Sequence, residues 1–174
     1  MRFLSDEYGV DMREIVLDAH AKINLGLDIT GIREDGYHLV DMVMQSVTLS
    51  DRIIIRQNDS SEIRLTSNVE YIPLNEHNLA YKAAKLMQEE FPGTGGVDIH
   101  IEKMIPVAAG LAGGSTDAAS FMTGINELYG LGIAKEKLME KAVRLGADVP
   151  YCIFGKTARA EGMGEIITAI RDLS

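Results

Sequence analysis

The stretch Pro106-Val107-Ala108-Ala109-Gly110-Leu111-Ala112-Gly113-Gly114-Ser115-Thr116-Asp117-Ala118-Ala119 constrains this chain more than any other. Before it, Val97, Ile99 and Ile101 alternate with Asp98, His100 and Glu102, the period of a half-buried strand. After it, Ala118, Phe121, Met122, Ile125, Leu128 and Tyr129 recur at helical spacing until Gly130, with Ser115 predicted as the N-cap. Small residues let backbone approach an anion closely and tolerate positive φ. The helix that follows offers unpaired N–H groups and the positive end of its dipole. Ser115 and Thr116 add hydroxyls for a phosphate oxygen or the ligand sphere of magnesium. The glycines could serve helix–sheet packing alone. Five small residues beside Ser-Thr at a strand-to-helix junction favour an anion site. A P-loop needs Lys before the Ser/Thr, and Gly114 stands there. No Gly-x-Gly-x-x-Gly opens a βαβ unit, so a dinucleotide fold fails as well.

The rest of the chain places this loop in an α+β fold. Lys22–Ile29 alternates, with Ile23, Leu25, Leu27 and Ile29 predicted on a buried face and Lys22 and Asn24 together on the other. Ile15–Leu17 reads as a separate short strand. Asp35-Gly36 marks a turn that leaves Tyr37 and His38 at a loop edge. Leu39–Leu49, Ile53–Arg56 and Ile63–Thr66 read as further strands. Asn78 is predicted to cap a helix that Pro92-Gly93 stops, and another helix is predicted from about Lys135 to Leu145. Tyr151–Ile167 reads as strand broken at Gly162 and Gly164. The order predicts a mostly antiparallel sheet with helices packed on one face.

Charge narrows the ligand class. The 174 residues carry a formal net charge of −9, which disfavours a nucleic-acid partner. A nucleotide is still compatible, because backbone N–H groups and one or two lysines suffice for phosphates. The single cysteine, Cys152, excludes an intrachain disulfide and a cysteine zinc site, and reads as a small buried hydrophobe. No apolar run is long enough to span a membrane, and residues 1–11 do not read as a signal peptide, so a cytoplasmic location is expected. Those eleven residues are expected to be an extension without a role in the fold. His20, His77 and His100 lack clustered acids or cysteines, so no metal site is read from them.

The loop resembles the phosphate-binding motif of the GHMP family of small-molecule kinases, of general form Pro-x3-Gly-Leu-(Gly/Ala)-(Ser/Gly)-Ser. Two other blocks carry the same resemblance. One is Ala21-Lys22-Ile23-Asn24-Leu25 with Gly31-Ile32-Arg33-Glu34-Asp35-Gly36-Tyr37-His38. The other is Leu145-Gly146-Ala147-Asp148-Val149-Pro150 with Ala160-Glu161-Gly162-Met163-Gly164-Glu165. The likeness runs from about Ala21 to Ile167 and implies the ribosomal protein S5 domain 2-like fold over 12–174. It also implies a second domain, of about a hundred residues, beyond the point where this chain stops.

The resemblance implies ATP, with magnesium held mostly by its phosphates, and an alcohol linked to cytidine diphosphate as the small-molecule partner. It implies that Gly110, Leu111, Ala112, Gly113, Gly114, Ser115 and Thr116 hold the phosphates, and that Asn78 and Lys103 face the adenosine end. Asp148 is implied as the general base and Lys22 as its charge support. Asn24, Tyr37 and His38 are implied to bind the cytidine-linked substrate. Ala112 stands where relatives often have Gly, which suits a negative φ. A chain without the second domain is expected to expose apolar surface and self-associate. The rival expectation is a non-catalytic domain of the same fold that binds a nucleotide or a partner.

Overall fold

The computed structural model describes residues 2–5 and 11–171. Its elements run β1 (Arg2–Ser5), β2 (Asp11–Ile32), β3 (His38–Asn58), β4 (Ile63–Ser67), α1 (Leu79–Glu90), β5 (Gly96–Glu102), α2 (Gly113–Leu128), α3 (Lys135–Ala142), α4 (Val149–Phe154), β6 (Thr157–Gly162) and β7 (Ile166–Ala169). The strands form one seven-stranded sheet in the order β1-β2-β3-β5-β4, with β6 pairing β3 and β7 pairing β6. Every pair is antiparallel except β4 with β5. The α+β architecture read from the sequence is the one observed. Residues 2–5 of the expected extension add an edge strand to β2, and the rest of it up to residue 10 lies outside the described residues.

The long hairpin of β2 and β3 is the spine. It turns at Arg33–Tyr37, where Arg33 N–H donates to the Tyr37 carbonyl at 2.8 Å and Gly36 takes φ +86°. Beyond the turn, Val40–Gln45 of β3 pairs with β6, and Arg52–Asn58 pairs with β5. One strand therefore carries two sheet halves, and each half has its own core. Under α1 and α2, Ile53, Ile55, Val97, Ile99 and Ile101 pack against Ala80, Ala83, Met87, Phe121, Met122 and Ile125. At the β6 end, Met42 and Met44 pack with Tyr151, Ala158 and Ala160. Cys152, partly buried, touches both clusters.

Five expectations are corrected. Ile15–Leu17 and Lys22–Ile29 are one strand, because bulges rather than a break absorb the irregular spacing. Around the irregularity between His20 and Lys22 the neighbours Ala21 and Lys22 are both buried, which a regular alternation does not allow. Ile23, Leu25, Leu27 and Ile29 are left exposed, Ile29 at 61%. β3 runs unbroken through Ser50–Arg52, since Asp51 is buried with partners for its carboxylate. Tyr151–Phe154 is helix, not strand: Pro150 sits in the first turn of α4, where its missing N–H costs nothing, and Gly155 ends it. α3 ends at Ala142 rather than near Leu145.

Candidate functional site

The glycine loop forms the floor of a cleft of about 550 Å³. Ala108, Gly110 and Ala112 all take positive φ, at 58°, 74° and 59°. Left-handed residues at every second position are the geometry that turns backbone N–H groups toward one side and makes an anion nest. The N-cap of α2 is Ala112, not Ser115, and its φ is positive where a negative value was expected. A left-handed alanine costs about 1–2 kcal/mol, so surrounding structure must hold it. Lys22 N–H donates to the Leu111 carbonyl at 3.1 Å, and Asp51 Oδ1 accepts from Met104 N–H at 2.6 Å and Ile105 N–H at 2.8 Å. The loop is thus pinned to β2 on one side and β3 on the other.

Most of the residues picked out in the sequence meet in this cleft. Its lining includes Lys22, Asn24, Asn78, Lys103, Gly110 to Ser115 and Asp148. Lys22 Nζ lies 3.6 Å from Asp148 Oδ2 and donates to Asn24 Oδ1 at 3.1 Å. Lys22 is 6% exposed although it is a strand lysine, because the bulge turns it toward the cleft. Asp148 is placed by the Gly146–Asp148 turn into α4, whose first-turn bond runs from Cys152 N–H to the Asp148 carbonyl.

Other residues are committed differently. Asn78 is the helix cap: its Oδ1 accepts from Ala80 N–H and its Nδ2 donates to the Pro73 carbonyl, both at 2.9 Å. Thr116 is buried under α2 and its hydroxyl donates to the His20 carbonyl at 2.8 Å, so it ties helix to sheet rather than facing the cleft. Lys103 is buried between Asp51 and Asp117, not an exposed strand end. Those two carboxylates are the residues sequence reasoning missed. A polar Asp51 inside the apolar run Leu39–Arg56 was the available signal; it was read as an interruption between strands.

Tyr37 and His38 lie elsewhere, in a second hollow of about 600 Å³ shared with Arg33, Gly146, Ala147 and Met163. Arg33 and Asp35 pair at 2.9 Å there. The two hollows flank the Gly146–Asp148 turn, with Ala147 lining one and Asp148 the other. Among the described residues no group of three or more His, Cys, Asp or Glu side chains is set to hold a metal ion. No helix among them is long and apolar enough to cross a membrane.

The chain folds as a mostly antiparallel sheet covered by helices, with a small-residue loop opening α2 beside a lysine–aspartate pair, and this is the fold of the GHMP kinase structures it resembles. Residues 78–156 match the family described as GHMP kinases N terminal domain. Over most of its length the chain is similar to the N-terminal portion of 4-diphosphocytidyl-2-C-methyl-D-erythritol kinases. It is 51% identical over 159 residues to the one from Alkaliphilus oremlandii, covering 91% of this chain and 54% of the relative. With that of Clostridium beijerinckii it shares 52% over 155 residues, 89% of this chain and 55% of the relative. A crystal structure of 4-(cytidine 5'-diphospho)-2C-methyl-D-erythritol kinase superposes with a TM-score of 0.77 at 38% identity, covering 90% of this chain and 55% of that one. The chain spans about half the length of the relatives it matches.

Proposed function

We propose that residues 12–174 form the ATP- and substrate-binding domain of a kinase that phosphorylates the 2-hydroxyl of 4-diphosphocytidyl-2-C-methyl-D-erythritol, in non-mevalonate isoprenoid biosynthesis in the cytoplasm. The observation that carries this reading is the Lys22–Asp148 pair on the wall of the cleft whose floor is the left-handed loop. Phosphoryl transfer asks the protein mainly for alignment and charge stabilisation. The loop N–H groups and the start of α2 supply preorganised donors for phosphate oxygens. Asp148 takes the proton as the substrate oxygen bonds to the γ-phosphorus and the bridging bond to ADP breaks. Lys22 offsets negative charge beside it, and Asn24 holds the substrate hydroxyls. Tyr37 stacks on the cytosine and His38 reads its edge. Asn78 and Lys103 shape the adenosine end. Ser115, which lines the cleft, would help hold magnesium, which would neutralise phosphate charge when bound.

The test is a phosphotransfer assay with ATP, magnesium and the cytidine-linked alcohol, run on the wild type and on Asp148→Asn. The variant is expected to stay folded and lose about 10²–10⁴-fold in turnover. Full turnover by a folded variant would remove Asp148 from the role of base.

A second reading is a nucleotide- or partner-binding domain without turnover. The exposed apolar residues Leu27, Ile29 and Ile32, which pair with Met42, Val40 and His38 on one face of the sheet, favour it and support self-association. Binding of ATP without transfer, by a chain that sediments as an oligomer, separates this reading from the first.

A further inference from the structure

The glycine loop leaves β5 and enters α2 through a neck, and Asp51 of β3 holds that neck from below. Asp51 is fully buried. Its Oδ1 accepts from Met104 N–H at 2.6 Å and from Ile105 N–H at 2.8 Å, the two residues that lead from β5 into the loop. Its Oδ2 accepts from Lys103 Nζ, which also donates to Asp117 Oδ2 of α2 at 2.9 Å. The far side of the neck is Gly113, the first residue of α2. A Cβ there would lie 3.1 Å from Lys103 Nζ and 3.1 Å from Ile105 Cγ2. The helix therefore starts in contact with the two residues that Asp51 fixes.

What the neck closes is strained. Ala108 and Ala112 take φ of 58° and 59° within residues 106–112. Left-handed residues other than glycine persist only where the surroundings over-determine them. If the two ends of such a loop part, the strain relaxes and the backbone N–H groups no longer converge on one point. Among the described residues that line the cleft Asp51 is absent, so its influence on a ligand there runs through the backbone it holds.

We propose that Asp51 is a positioning residue for the phosphate chain of ATP: it does not touch the nucleotide, and by clamping the neck it keeps the loop N–H groups in the arrangement that receives phosphate oxygens. This rests on the reading of the cleft as a nucleotide site. The positioning comes from the acceptor oxygen. Oδ1 serves the two N–H groups, and an amide oxygen in its place can accept the same pair. The charge of Asp51 serves Lys103, which keeps Asp117 as a partner when that charge is removed. One lysine between two carboxylates becomes one lysine beside one carboxylate, so neutral variants at position 51 strand no buried charge.

The test is calorimetric titration with ATP and magnesium of the wild type, Asp51→Ala and Asp51→Asn, each shown to be folded by circular dichroism. Asp51→Ala is expected to bind ATP roughly 10–100-fold more weakly, the order of loss when a preorganised site slackens by about an ångström. Asp51→Asn should stay within about threefold of the wild type, although it too loses the ion pair with Lys103. That rescue is a readout that a merely structural role would not produce. If Asp51→Ala does not fold, Asp51→Ser replaces it: its oxygen stops one atom short of both N–H groups, and the same loss is expected. A folded Ala or Ser variant that binds ATP as tightly as the wild type overturns the proposal and leaves the nucleotide site standing. Equal weakening in the Asn and Ala variants also overturns it, because the charge beside Lys103 would then set the affinity. A wild type that binds no ATP removes the nucleotide reading and this proposal with it.

Discussion

Lys22 Nζ stands 3.6 Å from Asp148 Oδ2, although one residue belongs to the second strand and the other to the turn before the fourth helix. Lys22 is almost fully enclosed, while the Asp148 side chain keeps about a third of its surface, 34%, open to the cleft. An enclosed cation beside a reachable carboxylate suits a base that must meet a substrate. Lys22→Met is expected to lower turnover about 10²-fold. The loss should fall on kcat rather than on ATP affinity, because the variant leaves the backbone N–H groups of the loop in place. Steady-state kinetics with a parallel ATP titration checks this; a change confined to ATP affinity would assign Lys22 to binding alone.

Lys103 pairs with two buried carboxylates at once. Lys103→Met leaves both without a counter-charge and is expected to destabilise the fold by about 3–5 kcal/mol. Adding Asp117→Asn to Lys103→Met should recover part of that loss, because one uncompensated charge disappears. Urea unfolding of the two single variants and the double variant closes the cycle. Strict additivity would mean that Lys103 and Asp117 do not act as a pair.

Asp117 makes stability depend on pH with a definite sign. Its carboxyl titrates near about 7 when folded, raised by burial, against an ordinary value of 3.8. Between those values the folded chain binds more protons than the unfolded one, so stability falls as pH rises from about 4 to about 7 and is level above, with a slope of at most ~1.4 kcal/mol per unit. Asp117→Asn should abolish this contribution. The stability difference between variant and wild type, from unfolding at pH 5, 6, 7 and 8, should shift in favour of the variant across that window. A difference that does not move with pH would show that Asp117 titrates normally.

Ala112 sits in the left-handed region at φ +59°, at the entrance to α2. Replacing it with Gly removes a steric cost of about 1–2 kcal/mol and adds about 0.5–1 kcal/mol of unfolded-chain entropy. The net expectation is a gain of about 0.5 kcal/mol, read from the urea midpoint. A clear loss of stability would indicate that the Ala112 methyl group packs favourably enough to outweigh its strain.

Much of this site was legible in residue order. The alternation of Val97, Ile99 and Ile101, the small residues that follow and the helical spacing from Ala118 locate a strand–loop–helix junction that the structure contains. Asn78 caps α1 as its residue type suggests. Lys22 and Asn24, two apart in a strand, do share a face and a hydrogen bond. The errors arise where the decisive neighbour is distant in the chain. The irregular pairing near Lys22 and the exposure of both faces of β2 over residues 23–30 leave no mark on the local pattern, so the burial of Lys22 and the exposure of Leu27 and Ile29 were out of reach. The hydroxyl of Thr116 likewise looked like a ligand because nothing near it in sequence shows that the His20 carbonyl lies within 2.8 Å.

Local chemistry in the sequence was enough to determine that a small-residue loop precedes α2 at a strand-to-helix junction, since period, small residues and helix starts are properties of neighbours along the chain. Only the tertiary structure decided which charges surround it. It buried Asp51 and Lys103, stood Asp117 beside them with one oxygen bare, and brought Lys22 to Asp148. Burial and charge pairing depend on distances between residues far apart in the chain, and those distances exist only once β2, β3, α2 and α4 have packed together.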